Sequence, residues 1–534
     1  MRRNLTDPRT APRMTAPPEH ETAPYLGLSW RDGAAQMRGR AHWRSDGQAE
    51  LGQVGRLWAR WDWDGARLSA EVDPFGFFNL FLYEKEGEIA LSPSLLELVA
   101  QGCDAAPDPL ALAVFHRMGI FIHDETPLRH VRTLPPGARV TWERGKLRIT
   151  GGVPVPQEQQ ISREAAVEGM THHFRTAMAR ILEKWDAPLI LPLSGGRDSR
   201  HILLEMLRQG RRPGACVTFH HNGAAMNAEA LAARAVAERA GIRHNVLGHA
   251  RPRLADAIRA LVMTDLCAEE HAQMMPLHDY VLDRGGAAFD GIAGDILTNP
   301  DNDAEQFYRL AQAGDFIGIA SGLVEGHGRV ISQPGWGRGA GPLWSPGRDE
   351  EVVEHIGRAV AAYADAPDPY QVFWMYHRTR REINFVPQAI LGKAEIVFCP
   401  YLDPDFARFC MSLPYTVTRD QMLHDDVIAR AYPDYADIPF AEGFAAPPPR
   451  GGSLTHKLRS ARDVLSLTRA FGNVPGGARA LMGEPAKLRR GPDMMYRLHA
   501  AAMEGLDAAR ARHLLDLAAA LERARPKRLI SDAL

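Results

Sequence analysis

Leu189-Ile190-Leu191-Pro192-Leu193-Ser194-Gly195-Gly196-Arg197-Asp198-Ser199-Arg200 is the stretch that decides the fold of this chain. An apolar strand runs into a Ser-Gly-Gly turn and emerges at once as the amphipathic run His201-Ile202-Leu203-Leu204-Glu205-Met206-Leu207. Strand, glycine turn and helix start together form an anion site. Glycines let backbone N–H groups approach phosphate oxygens, and the helix dipole adds partial positive charge. The hydroxyls of Ser194 and Ser199 can donate to the same oxygens, so Leu193, Ser194, Gly195, Gly196, Asp198 and Ser199 are the expected phosphate-binding residues. Bare phosphate would repel Asp198, whose place in the loop makes sense when it holds Mg²⁺ there. A glycine turn between strand and helix is common, but the S-G-G-x-D-S run in this frame is far more specific. No Walker A loop of the G-x-x-x-x-G-K-[ST] type occurs, so the usual route to γ-phosphate transfer is not indicated.

Working outward, short apolar strands are expected at 188–193, 215–219, 243–247 and 287–290, with helices at 163–185, 199–209, 227–240, 253–263 and 270–284. Strands alternating with helices point to an α/β fold with a parallel sheet. Residues 25–150 have a different texture. Strand-like runs at 68–72, 77–83, 89–92 and 138–142 are separated by Asp-Gly, Glu-Gly and Pro-Gly turns, with helices at 94–101 and 109–118, which describes a β-rich module. The expected division is a flexible leader at 1–24, with Met14 as an alternative start, this module at 25–150, a Gly/Pro/Gln linker at 151–160, the α/β domain at 161–446 and a helical, Arg-rich extension at 447–534 beginning with Pro447-Pro448-Pro449. The Gly/Pro/Trp-rich segment 333–348 is either an active-site lid or an inert surface insertion. No fixed-period repeat is present.

The 534 residues are enough for two to four domains, and 45% hydrophobic with 24% charged residues is the balance of an ordinary globular protein. A net charge of −2 provides no global field to recruit nucleic acid or an anionic membrane. No apolar run is long enough for a membrane span, and the N-terminus lacks the apolar stretch of a secretory signal. Cys103, Cys216, Cys267, Cys399 and Cys410 are scattered and never form C-x-x-C, which suggests buried free thiols in a reducing cytoplasm rather than disulfides or thiolate zinc. His172-His173 and His220-His221 lack a third partner at metal-ligand spacing; the first pair fits a solvated helix face, the second the wall of a nucleotide pocket. The basic runs Lys487-Leu488-Arg489-Arg490 and 523–528 are expected to pack or to be solvated rather than to bind nucleic acid.

Ser194 to Ser199 resembles the pyrophosphate loop of the ATP-pyrophosphatases, and its wider context resembles the asparagine synthetase group among them. Residues 229–244 are similar to the helix after that family's second strand. Asp290-Gly291-Ile292-Ala293-Gly294-Asp295 stands in the place of its S-G-E-G-x-D segment, and Pro400-Tyr401-Leu402-Asp403 in that of its P-F-L-D. Asp73-Pro74-Phe75-Gly76 and Leu134-Pro135-Pro136-Gly137 resemble turns of its N-terminal glutaminase domain. The likeness covers about residues 60–440. It implies an N-terminal Ntn-hydrolase-like β-rich sandwich followed by a parallel-sheet ATP-pyrophosphatase (HUP, adenine nucleotide alpha hydrolase-like) synthetase domain with a helical C-terminal part.

The activity implied is an ATP-dependent amide ligase. ATP with Mg²⁺ adenylates a substrate carboxylate, pyrophosphate stays on the loop, and an amine displaces AMP. Asp198 and Asp295 would be the metal ligands, Gly291 would line the loop, and Val217 and Phe219 would meet adenine. Glu269, Glu270 and His271 fall on the side where the family binds its carboxylate substrate; the two glutamates are the expected catalytic groups beside Asp198 and Asp295. They recognise an amine or act as base, or else are ordinary partners of a helix dipole, and both alternatives stay open here.

The chain departs from the family at three places. It opens Met1-Arg2-Arg3, without the N-terminal Cys nucleophile, and Thr15 follows Met14, so no glutaminase activity is expected and the module becomes a scaffold or docking unit. Ile292 replaces the Glu of S-G-E-G. No Lys occurs in Ile438-Pro439-Phe440-Ala441-Glu442-Gly443, where the family has one; Arg378, Arg380, Arg381 and Lys393 are the candidate replacements. Family members without the Cys include cyclases of lasso peptides and of β-lactam precursors, whose amine belongs to the substrate. The expectation is therefore an amide ligase acting on a small-molecule or peptide carboxylate, in its sharpest form a macrolactam cyclase with a precursor peptide and a protease as partners. An ammonia-fed asparagine synthetase and a nucleotide-binding protein without ligase chemistry are the alternatives.

Overall fold

Alternation of apolar and polar residues builds two antiparallel sheets from the first 150 residues, as in Arg67–Val72, where Leu68, Ala70 and Val72 turn inward. The structure, a computed structural model, describes residues 22–45, 53–219, 227–249, 251–298, 304–331, 347–445, 466–467, 469–471, 491–524 and 530. The leader up to residue 21, His220-His221, positions 333–346, Pro447 to Pro449 and Lys487 to Arg490 lie outside the described residues. The strands are β1 Leu26–Arg31, β2 Ala34–Gly39, β3 His42–Arg44, β4 Ala59–Trp63, β5 Arg67–Val72, β6 Phe81–Lys85, β7 Glu88–Ser92, β8 Val131–Thr133, β9 Arg139–Glu143 and β10 Lys146–Thr150. They pair as β2-β1-β7-β6-β8 and β10-β9-β5-β4-β3. Leu28, Trp61, Trp63, Leu68, Leu82, Leu91, Val140 and Trp142 fill one core shared by the two sheets. The other face of the first sheet offers Phe81, Tyr83 and Ala90 to helices α1 Leu95–Ala100 and α2 Pro109–Met118. α2 follows its sequence signals, with Asp108 as N-cap, Pro109 in the first turn and Gly119 left-handed at the end.

The strand expected at 77–83 begins only at Phe81, because the preceding residues wrap a buried carboxylate. Phe75 and Phe77 N–H donate to Asp73 Oδ1 at 3.1 Å each and Phe78 N–H to Oδ2 at 2.7 Å. Gly76, at φ +65°, closes this turn against the 134–137 turn, where a Cβ would lie 2.8 Å from Pro136 Cα.

After residues 151–162, which hold no regular element, the texture becomes helix and parallel strand. Ser162 caps helix α3 Arg163–Lys184, followed by β11 Leu189–Pro192, α4 Arg197–Arg208, β12 Ala215–Phe219, α5 Ala228–Arg239, β13 His244–Leu247, α6 Arg253–Met263, α7 Met275–Arg284, β14 Ala287–Phe289 and β15 Ile396–Phe398. The five strands are parallel in the order β13-β12-β11-β14-β15. Their near-continuous apolar sequences suit a sheet covered on both faces. β15 was not expected, and the helix expected at 270–284 divides into a 3₁₀ turn, His271–Met274, and α7. Further along, helices Gly491–Met503 and Ala508–Arg523 share a core with α1, α2 and α6 through Leu95, Phe115, Ile258, Leu498 and Leu514. Among the described residues no helix is long and apolar enough to cross a membrane.

Candidate functional site

The chain runs from the central strand β11 out to β12 and β13 on one side, then returns to β14 and β15 on the other. The crevice beyond the carboxyl ends of β11 and β14 is thus the switch point at which sheets of this kind bind ligands. Residues 194–199 follow β11 and residues 290–295 follow β14, and the two turns meet. Gly294 is required there, since a Cβ would stand 2.4 Å from Asp198 Cγ; one on Gly291 would stand 2.9 Å from Asp198 Cβ.

Asp198 Oδ1 is buried without a hydrogen-bond partner. Burial and the neighbouring Asp295 and Asp290 push its carboxyl well above the usual carboxylate range. Asp290 is itself pushed up to about 6 by burial, although Ile292 N–H donates to it at 2.8 Å. His424 Nδ1 lies 3.5 Å from Asp198 Oδ1, but burial lowers that imidazole to about 3, so it brings no charge. His424 also meets His201 Nδ1 at 3.0 Å and Thr298 Oγ1 at 3.1 Å, while Tyr401 O–H donates to the Asp198 carbonyl at 3.1 Å. This buried backing to the loop escaped the sequence reading; His201, three residues after Asp198 on α4, was its one local signal.

An orphaned carboxylate oxygen among like charges fits a divalent cation. Among the described residues no three His, Cys, Asp or Glu side chains form a ready cage. Mg²⁺ commonly takes one or two carboxylates and completes its shell with water and phosphate oxygens, so Asp198 and exposed Asp295 suffice as protein ligands.

The loop is closed on itself in this structure. Ser194 N–H donates to Ser199 Oγ at 2.9 Å, Gly196 N–H to Ser194 Oγ at 3.2 Å, and Gly195 N–H to Glu229 Oε2 at 3.2 Å. A phosphate would have to take these donors over. Gly195 is packed between α5 and the 441–443 turn, whereas Gly196, the N-cap of α4, supplies no side-chain cap to the helix. Leu193 is buried and its N–H donates to the Val217 carbonyl at 2.8 Å. Val217 thus lies inside the sheet, paired with Pro192 and Asn245, and Phe219, at the carboxyl end of β12, is half-buried.

A second cluster joins the first through Arg378, which lies in the π-helical stretch Met375–Ile383 and feels Asp295. Its Nη2 lies 3.4 Å from Glu270 Oε1 and its Nε 3.7 Å from Glu382 Oε2. Burial and the charge of Glu270 push Glu269 up to about 8, with Arg378 opposing. Burial also raises Glu382 well above its ordinary value, with Glu270 adding to the rise. His271 is buried and lowered to about 4. Tyr496, from the helix Gly491–Met503, faces the same three glutamates, a contribution of the C-terminal extension that the sequence did not signal. A carboxyl group that titrates near 8 holds its proton at neutral pH as a hydrogen-bond donor, and accepts one from an amine only in its ionised form.

The other candidate cations are elsewhere. Arg380 donates to the carbonyls of Gly76 and Leu134 and to Asp124, and Arg381 to Asn79 and the Glu125 carbonyl, so both join the β-rich module to the rest. Lys393 meets Glu522 at 3.4 Å. Ile292 is buried in the apolar core. In the module, Cys103 lines a cavity of about 280 Å³ with Tyr25, Arg38 and Glu88. Burial pushes its thiol up to about 12, so the nucleophilic thiolate is scarce at neutral pH. No family model matches the chain, and no curated protein matches it.

Proposed function

We propose that the chain is an ATP-dependent amide ligase of the asparagine-synthetase type, forming an amide between a carboxylate and an amine of the substrate without glutamine hydrolysis. The observation that carries this is the buried, unpartnered oxygen of Asp198 where the S-G-G-x-D-S loop meets the turn after β14.

The loop donors and the α4 dipole hold the outer phosphates of ATP, leaving the α-phosphorus to the incoming carboxylate. An oxygen of that carboxylate bonds to the α-phosphorus, the bond to the bridging oxygen breaks, and pyrophosphate departs. Mg²⁺, held by Asp198 and Asp295, would supply charge neutralisation on the phosphates. The amine then attacks the acyl carbon, AMP leaves, and the amine proton passes to Glu269 in its ionised form, which predominates only above about pH 8. Glu270, paired with Arg378, orients the amine. In its sharpest form the carboxylate and the amine belong to one peptide, and the product is a macrolactam.

The test is to incubate the full chain with Mg²⁺, ATP and candidate acceptors and to separate the nucleotide products. AMP and pyrophosphate that depend on a precursor peptide support the cyclase; dependence on aspartate and ammonium favours an asparagine synthetase. ADP as product overturns the proposal. Buried Ile292, at the position of the family's Glu, favours a second possibility, a nucleotide-binding regulatory protein, which binds ATP and forms no AMP with any acceptor.

A further inference from the structure

A triphosphate carries more negative charge than one helix dipole and one divalent cation offset, so a protein cation at the loop is chemically expected. Arg197 is the first residue of α4 and lies inside the loop. Its Nε and Nη2 face Asp425, the latter at 3.0 Å from Oδ2. Its guanidinium carbon lies 4.4 Å from the centroid of the Phe440 ring. Its remaining edge, Nη1, meets Glu442 Oε1 at 3.3 Å. The two carboxylates are unlike. Asp425 is 17% exposed and fixes one edge of the fork, whereas Glu442 is 72% exposed on the 3₁₀ turn Ala441–Gly443. A pair so exposed is weak, and a polyanionic phosphate competes for the guanidinium edge through charge-assisted hydrogen bonds. The turn carrying Glu442 is itself tied to the loop, by Ala441 N–H to the Gly195 carbonyl at 3.0 Å. Neighbouring Arg200 is committed to structure, donating to the carbonyls of Ile438 and Pro439 at 2.6 and 2.7 Å.

We propose that Arg197 is the side-chain cation that grips the outer phosphates of the nucleotide, oriented by Asp425 and Phe440 and held by Glu442 until the phosphates displace that carboxylate. This rests on the S-G-G-x-D-S loop being a phosphate site.

The experiment titrates magnesium pyrophosphate, and separately AMP, into the full chain and its variants by calorimetry at fixed ionic strength. Arg197→Leu is expected to weaken pyrophosphate binding about tenfold or more and to leave AMP binding unchanged, with Arg197→Lys restoring part of the loss. Glu442→Gln, at an exposed position that does not threaten the fold, is expected to tighten pyrophosphate binding several-fold. Arg197→Leu binding pyrophosphate as the unaltered chain does, or Glu442→Gln leaving its affinity unchanged, overturns the proposal. An unaltered chain that binds no pyrophosphate is a separate result, which removes the phosphate site itself and Arg197's role with it.

Discussion

The turn after β5 and the turn after β11 each bring an aspartate into the protein interior and treat it in opposite ways. Around Asp73, three backbone N–H groups converge on the carboxylate, and the chain bends around it before β6 can begin. Around Asp198, one oxygen has no donor, two further aspartates press on it, and two glycines have given up side chains to let it in. A saturated carboxylate organises a fold. A starved one costs stability and is retained where a ligand completes it. The contrast separates the scaffold from the site within one molecule.

The sharpest way to break the contrast is Asp198→Asn. AMP formation should fall about a thousandfold or more, roughly 4 kcal/mol of lost transition-state stabilisation, while the melting temperature holds or rises as a crowded charge disappears. Unchanged nucleotide turnover would take the loop out of the chemistry. Asp73→Ala should do the reverse. Stranding two buried N–H groups and a part-buried third costs about 3 kcal/mol of folding stability, read as a lower denaturant midpoint with an unchanged slope. A midpoint equal to that of the unaltered chain would show that the turn does not depend on its carboxylate.

Gly294→Ala tests the close approach itself. Its methyl would press on the Asp198 carboxylate, and turnover should drop about tenfold to a hundredfold, roughly 1–3 kcal/mol, with KM for ATP rising; a fully active variant contradicts the tight contact. The fourth test is in pH. Glu269 titrates near 8 in the folded chain, above its ordinary value, so between about pH 4.5 and 8 the folded state keeps a proton that the unfolded state releases. Stability should therefore fall as pH rises through that window. Glu269→Gln should flatten this slope in melting temperatures measured at pH 5, 6.5 and 8, and a slope unchanged by the substitution would place Glu269 in an ordinary solvated setting.

How much of this could be read in advance follows the range of the forces involved. The strand, turn and helix around residues 189–208, and α6 at Arg253–Met263, rest on local periodicity and capping, and both the expected and the observed elements coincide to within two or three residues. β15 did not announce itself, because three residues carry no period and a parallel neighbour supplies its pairing. Arg380 and Arg381 sat in an Arg-rich run that read as a reserve of phosphate-binding cations. Their partners lie in the module before residue 151, and nothing local records that. Arg197 was in plain view in the loop, but its meaning depends on Asp425 and Glu442, which arrive only through the fold. The same holds for Glu269, whose pKa is raised by burial and Glu270 against the opposing charge of Arg378, neighbours brought together only by the fold.

Arg380, 2% exposed, has a further consequence. Its hydrogen bonds reach across to the turns at Gly76 and Leu134, so removing the residues before about 155 would take away its acceptors and bare the face they cover. A chain truncated to the residues after 155 should therefore be recovered as insoluble material, because the β-rich half serves the rest as its cover.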